Sequence, residues 1–317
     1  MRVLVALGGN ALARPGGEGD WKEEVRQMRA AAGPLARIAL GGHELILTHG
    51  NGPQVGRLLR QDELAEREVP FLPIDVLGAE SEGQIGYLIE QELSPALTRA
   101  RVRRTVLTLV SRMLVSAGDP AFRHPTKPVG RFYSDAEARR LLRSARWTMA
   151  KDRARGGWRR LLPSPRPVQW LEGSAVRRLL DLGMGRHCVP VVAGGGGVPV
   201  VARGRGRFTG VEAVIDKDRA ASLVARELGV DALVIATDVP GIALGFGTAA
   251  TRWLRRTRVS ELTDALARGE FGEGSMAPKV EAAIEFVRAT GRRAVVTESS
   301  TVERALRGKA GTLVSPG

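Results

Sequence analysis

The residues best able to do chemistry gather at Val214–Ala221. There an apolar pair runs into Asp216-Lys217-Asp218, and Ala220, Ala221, Leu223, Val224 and Leu228 then recur at helical spacing. An aspartate at a helix start accepts hydrogen bonds from the first free N–H groups, so Asp216 or Asp218 is the expected cap. Lys217 then stands at a helix N-terminus, where an anion is already favoured. A lysine between two carboxylates in such a place suits a phosphate, with the carboxylates fixing the lysine. Taken alone, the triplet reads more simply as a capped helix with a solvated charge run. Its setting changes that. Of 48 basic residues only six are lysine, namely Lys22, Lys127, Lys151, Lys217, Lys279 and Lys309. A chain that uses arginine wherever a positive charge suffices keeps lysine where a compact ammonium is needed.

Three glycine turns accompany the lysines. Gly8-Gly9-Asn10 follows the apolar run Arg2–Leu7, His49-Gly50-Asn51-Gly52-Pro53-Gln54 follows Glu44–Thr48, and Gly194-Gly195-Gly196-Gly197 follows Cys188–Val192. Without a Cβ, such turns let backbone amides approach a ligand closely. No Gly-x4-Gly-Lys-Ser/Thr loop and no serine nucleophile elbow occurs. The four histidines, at 43, 49, 124 and 187, show no metal spacing, and His49 suits either a structural or a chemical role. The single cysteine, Cys188, sits in an apolar run and excludes both an internal disulfide and a cysteine-based zinc site. What remains is a constellation for holding phosphates without a P-loop: three glycine turns, Lys217 and Lys279 at helix starts, and Lys127 between Pro125 and Gly130.

The elements that must position these residues alternate. Short apolar runs predict buried parallel strands at Arg2–Leu7, Glu44–Thr48, Cys188–Val192 and Ala232–Ala236, with closing strands at Ala294–Thr297 and Thr312–Ser315. Helical spacing predicts helices from Trp21 to Ile38, from Pro53, over Leu77–Leu93 and Glu172–Leu182, from the Asp-Lys-Asp triplet to Gly229, over Ser260–Arg268 with Ser260 as cap, and over Val280–Thr290. Arg104–Val115 reads as one β-like run, and Val198–Gly210 as a hairpin. Between Asp119 and Glu172 prolines crowd in and periodicity fades, which predicts an inserted subdomain or lid. Turns at the carboxyl ends of adjacent parallel strands face one crevice.

At 317 residues and 43% hydrophobic content the chain has ample material for a large core. No apolar run is long enough for a membrane span, the N-terminal run is too short for a signal peptide, and a cytoplasmic enzyme is expected. The formal net charge of +14 suggests nucleic acid. However, the basic residues are scattered over nearly every segment, and only two tyrosines accompany them. Base stacking between basic residues has no support, so no nucleic-acid partner is expected.

The motifs Val5–Ala11, Thr48–Val55, Gln84-Ile85-Gly86-Tyr87, Pro125–Gly130, Gly157-Trp158-Arg159, Pro163–Pro167, Gly194–Val200, Gly210–Asp218 and Gly274–Lys279 together resemble the carbamate kinases of the amino acid kinase superfamily. The His-Gly-Asn-Gly-Pro-Gln turn, the four-glycine run and Gly-Val-Glu-Ala-Val-Ile-Asp-Lys-Asp are specific to carbamate kinases within it. Arg155 departs from that family's spacing by one place. The resemblance implies a three-layer αβα sandwich around a mostly parallel sheet with a small protruding subdomain. It implies a carbamate- or carbamoyl-phosphate-binding lobe over 1–183, carrying the insert at about 119–172, and a nucleotide-binding lobe over 184–317.

It also implies a reversible phosphotransferase, running in the direction of ATP synthesis, that uses ATP or ADP with Mg²⁺ and acts as a homodimer in arginine metabolism. Residue by residue, it gives catalytic roles to Lys127, Lys217, Asp218 and Lys279. It puts Gly8, Gly9, Asn10, Gly50, Asn51, Gly194 and Gly195 against the carbamate or transferring phosphoryl group. It puts Lys217, Ala236, Thr237, Asp238, Val239, Met276 and Lys279 against the nucleotide. The alternatives are a superfamily kinase acting on an amino acid carboxylate or a nucleoside monophosphate, carbamoyl phosphate synthesis by the reverse reaction, and a non-catalytic regulator. The turn and the insert speak against another kinase, and the three motif lysines against the regulator.

Overall fold

A computed structural model of the chain describes residues 1–9, 20–143, 147–152, 156–248, 250–272 and 276–317. Of the positions singled out above, Asn10, Arg155, Gly274 and Ser275 lie outside the described residues.

The described strands build an eight-stranded sheet. Its order from one edge is Arg256–Arg258, Thr312–Ser315, Arg293–Glu298, Ala232–Thr237, Arg2–Leu7, Glu44–His49, Cys188–Val191 and Thr105–Thr108. Every neighbouring pair is parallel except Arg293–Glu298 with Thr312–Ser315. Successive side chains of a strand point to opposite faces, and both faces of this sheet are covered. In the first strand Val3, Val5 and Leu7 pack with the helices Trp21–Leu40 and Ile74–Arg99, while Leu4 and Ala6 pack with Lys217–Glu227 and Ala277–Thr290. The result is a three-layer αβα sandwich. The first strand has Glu44–His49 on one side and Ala232–Thr237 on the other, so the sheet is wound outward from it in both directions. Open α/β sheets bind ligands at such a switch point.

Two local expectations are corrected. Arg104–Val115 is two strands in two sheets: Thr105–Thr108 edges the main sheet, and Arg112–Val115 joins a smaller sheet with Val198–Ala202 and Pro167–Trp170. The chain changes sheets at Leu109–Ser111. Leu109 still donates its N–H to Val191 O at 3.0 Å, whereas the carbonyl of Ser111 accepts from Val198 N at 2.7 Å. Hydropathy does not register such a transfer, because both strands are buried alike. The second correction concerns Ser260, which lies inside the helix Val259–Ala267 and does not cap it. Arg258 is the N-cap residue, and the Glu261 carboxylate reaches back to its N–H at 3.2 Å.

The inserted region holds a three-stranded sheet, Lys127–Tyr133, Thr148–Lys151 and Trp158–Leu162, with the helix Asp135–Arg143. It leans on the body through Val129 and Leu162, which pack with Val55 and Leu59. It is also tied to the segment before the Asp-Lys-Asp triplet. Arg160 Nη2 meets Glu212 Oε2 at 2.9 Å, and Val214 N donates to Pro163 O at 3.0 Å.

Candidate active site

The three glycine turns sit side by side at the carboxyl ends of Arg2–Leu7, Glu44–His49 and Cys188–Val191, three strands adjacent in the sheet. Two positions leave little room for a side chain. A Cβ on Gly50 would stand 3.1 Å from Gly9 N and 3.3 Å from Lys217 Cδ, and a Cβ on Gly195, which has φ of +65°, would overlap the Asn51 amide. The turns therefore touch one another, and Lys217 lies across them.

Lys217 is the first residue of the helix Lys217–Glu227, and Lys279 is in the first turn of Ala277–Thr290. These helices pack on the same sheet face, with Arg219–Glu281 and Arg226–Glu285 ion pairs at 3.0 and 2.9 Å along their rim. Their starts thus converge on one point, where Asp218 receives both lysines. Its Oδ1 pairs with Lys217 Nζ, and its Oδ2 with Lys279 Nζ at 2.9 Å. The two possible caps divide the work. Asp216 is the cap, accepting from Asp218 N at 2.9 Å and Arg219 N at 3.3 Å. Its other oxygen takes Lys127 Nζ at 2.7 Å, which brings the lid lysine to the same cluster.

Electrostatics follow from that geometry. Burial alone would raise the pKa of Asp218, but Lys217 and Lys279 outweigh it and hold the carboxyl well below the usual carboxylate range. Burial likewise opposes the charge on Asp216, and Lys127 wins, so its pKa is also lowered. Lys217 goes the other way: burial is the largest influence, and with help from Lys279 it pulls the ammonium below its ordinary value despite Asp218. Three ammoniums thus face two committed carboxylates, leaving a surplus positive charge that suits an anion.

Two chambers meet at this cluster. The larger, about 440 Å³, is lined by Thr237, Asp238, Val239, Met276, Phe246 and Phe271, with Gly8 at its base. The smaller, about 220 Å³, is lined by Gly50, Asn51, Gly195, Lys127, Lys217 and Asp218. Gly9 and Lys279 line both. Gly194 and Ala236 stand one layer behind. Gly194 is buried against His49 and Glu82, and the Ala236 carbonyl backs onto Gly8.

His49 is buried, its pKa pulled down to about 4 chiefly by burial, and its Nδ1 lies 3.1 Å from the Gly50 carbonyl. It is a neutral wedge behind the turn. Glu82 is buried beside it, accepts from Ser111 N at 3.2 Å, and has its pKa raised well above the ordinary value by burial. The sequence has both flanking carboxylates fixing Lys217; in the structure only Asp218 pairs with it, and Asp216 holds Lys127 instead. Sequence reasoning missed Phe246 and Phe271, for which no motif gave a signal. Among the described residues no three His, Cys, Asp or Glu side chains converge on a metal-sized space, and both aspartates of the smaller chamber are engaged by lysines.

Comparison with known proteins agrees with this architecture. The profile of the amino acid kinase family matches residues 1–298. The carbamate kinase of Pyrococcus horikoshii is 43% identical over 317 residues, covering 99% of each chain. That of Halobacterium salinarum is 46% identical, covering 99% of this chain and 98% of its own. The solved carbamate kinase of Giardia lamblia bound to AMP-PNP superposes with a TM-score of 0.91 at 38% identity, covering 100% of this chain and 98% of its own. The chain is a phosphotransferase of the amino acid kinase family and belongs, within it, to the carbamate kinases.

Proposed function

We propose that the chain transfers a phosphoryl group between carbamoyl phosphate and ADP. The observation that carries this reading is the meeting of two unlike chambers at Gly9 and Lys279, with Lys217 and Lys127 on the smaller side. The larger chamber takes the nucleoside, with Thr237–Val239 and Met276 along it. The smaller takes the carbamoyl group, against Gly50, Asn51 and Gly195. This makes the N-terminal lobe with its lid the carbamate side and the C-terminal lobe the nucleotide side, although the strand Cys188–Val191 lies among N-terminal strands of the sheet.

In the direction of ATP synthesis, a β-phosphate oxygen of ADP attacks the phosphorus of carbamoyl phosphate. The new P–O bond forms as the bond to the carbamate oxygen breaks, and carbamate leaves with the electron pair. No proton has to move, because carbamate departs as an anion and attacks as one in reverse. This accounts for a site built of ammoniums and backbone N–H groups, with His49 buried and neutral. Phosphoryl transfer needs in-line placement and charge neutralisation above all. Lys217 and Lys279 share the charge of the transferring group, Asp218 holds the two ammoniums apart and aimed, and Lys127 closes from the lid. Gly8 and Gly9 supply the turn under the phosphoryl group.

Mg²⁺ enters with the nucleotide as part of the substrate, since both aspartates of the smaller chamber are already committed to lysines. The acyl phosphate's high transfer potential favours ATP formation, and the resemblance further supports a cytoplasmic homodimer in arginine metabolism. Among the described residues no helix is long and apolar enough to cross a membrane. The deciding assay is ATP formation from ADP and carbamoyl phosphate, run beside phosphorylation of UMP and of acetylglutamate. ATP from carbamoyl phosphate alone is the expected result, and failure to form it sinks the reading.

A further inference from the structure

Asn51 occupies the N-cap position of the helix Gly52–Ala65, where an asparagine side-chain oxygen ordinarily accepts from the first free N–H groups. Here the side chain makes no capping bond. Its Nδ2 instead donates to Ser81 Oγ at 2.8 Å, reaching across to the helix Ile74–Arg99. Ser81 is fully buried and donates its only hydroxyl hydrogen to Gly78 O at 2.6 Å. With that hydrogen spent, Ser81 Oγ can only accept from the amide. The amide therefore has one permitted orientation: nitrogen toward Ser81, oxygen elsewhere. Among the described residues Asn51 Oδ1 accepts no hydrogen bond, and Asn51 lines the smaller chamber. The amide lies directly over Gly195, which carries no side chain to push it aside.

We infer that Ser81 is a specificity-determining positioning residue. By fixing the amide of Asn51 it presents Oδ1 as an acceptor for the amino group of the carbamoyl substrate. This rests on the function proposed above and adds the means by which the site tells a carbamoyl group from an acyl group of the same shape. Acetyl phosphate replaces the amino group by a methyl, which has no hydrogen to give and leaves the oriented acceptor unpaired. A site that hydrogen-bonds a substrate N–H rejects the analogue lacking it more strongly than a hydrophobic pocket rejects a change of size. An Asn51 free to turn would present either end and lose that discrimination.

The test compares kcat/KM for carbamoyl phosphate and for acetyl phosphate, each with ADP, in the wild-type chain, in Ser81→Ala and in Ser81→Thr. In Ser81→Ala the carbamoyl-to-acetyl ratio is expected to fall by about tenfold, the worth of one oriented hydrogen bond. The fall should come from the carbamoyl substrate, with acetyl phosphate unchanged or improved. The melting temperature is expected to hold or rise, since the freed amide can cap its helix. Ser81→Thr keeps the hydroxyl and is expected to keep the ratio. Equal losses on both substrates, or an unchanged ratio in Ser81→Ala, overturn the inference and leave the proposed function standing. A wild-type chain that makes no ATP from carbamoyl phosphate overturns both.

Discussion

The two chambers of the cleft hold their cargo by different physics. The smaller is made of charge and backbone: three lysines, two aspartates and glycine turns packed so closely that a Cβ on Gly50 would stand 3.1 Å from Gly9 N. The larger is twice the volume and is made of shape, with aromatic and aliphatic side chains around a broad opening and one lysine at its inner end. In the smaller chamber the charged groups have partners and fixed directions, as a transition state requires. In the larger, contacts need only fill space, and their replacement alters affinity more than rate. On the proposed function, the difference separates residues that speed the reaction from residues that retain the nucleotide.

Substitutions on the two sides break or sharpen that contrast. The largest effect is expected for Lys217→Ala, with kcat/KM for carbamoyl phosphate falling two to three orders of magnitude, the cost of about 2.7–4 kcal/mol when one transition-state donor is lost. Thermal unfolding should show a folded variant, and near-normal turnover would mean that the cluster does not stabilise the transferring group. A smaller effect is expected for Phe246→Ala. This ring is 63% exposed, so its loss opens no cavity in the core. KM for ADP should rise about fivefold, the worth of one aromatic contact, with kcat and KM for carbamoyl phosphate unchanged. A fall in kcat would show that the chambers are not separable.

The smallest effect is in the pH profile. The ammonium of Lys217 is the active form and is lost as pH rises through its folded pKa, which burial has brought below the ordinary lysine value. The profile of kcat/KM should therefore turn down on the alkaline side below pH 10.5. In Asp218→Asn the downturn should move to lower pH, because the carboxylate that supports the charge is gone. Asp218 itself titrates below the usual carboxylate range, so it does not set an acid limb near neutrality. An alkaline limb at the same pH in both chains would remove Asp218 as the partner that sustains Lys217.

The same contrast decides what the sequence made legible. Charge and glycine turns leave local marks. Asp216-Lys217-Asp218, the three turns and the rarity of lysine pointed to the smaller chamber before any fold was known, and the alternation of apolar runs gave the layered sheet. Shape leaves few marks. Phe246 and Phe271 come from separate loops and meet only after folding, so no spacing relates them. The division between cap and ion-pair partner was likewise hidden. Asp216 and Asp218 are chemically identical, and only the direction of the helix start assigns the first to the N–H groups and the second to the lysines. Ser81 was invisible for the same reason, being 30 residues from the amide it turns. The transfer of the chain between sheets at Leu109–Ser111 was lost because burial on both sides of the break is alike.

The pairing of Lys127 with Asp216 has one more implication. Asp216 is held from two directions, by the lid ammonium and by the N–H groups of Asp218 and Arg219. When Lys127 leaves it for an incoming phosphate, Asp216 is not orphaned, because the helix start still satisfies it. The lid arm can therefore exchange one anion for another without stranding a charge in the protein interior. On the proposed function, substrate capture would then be an ion exchange in which the resident counter-ion stays docked.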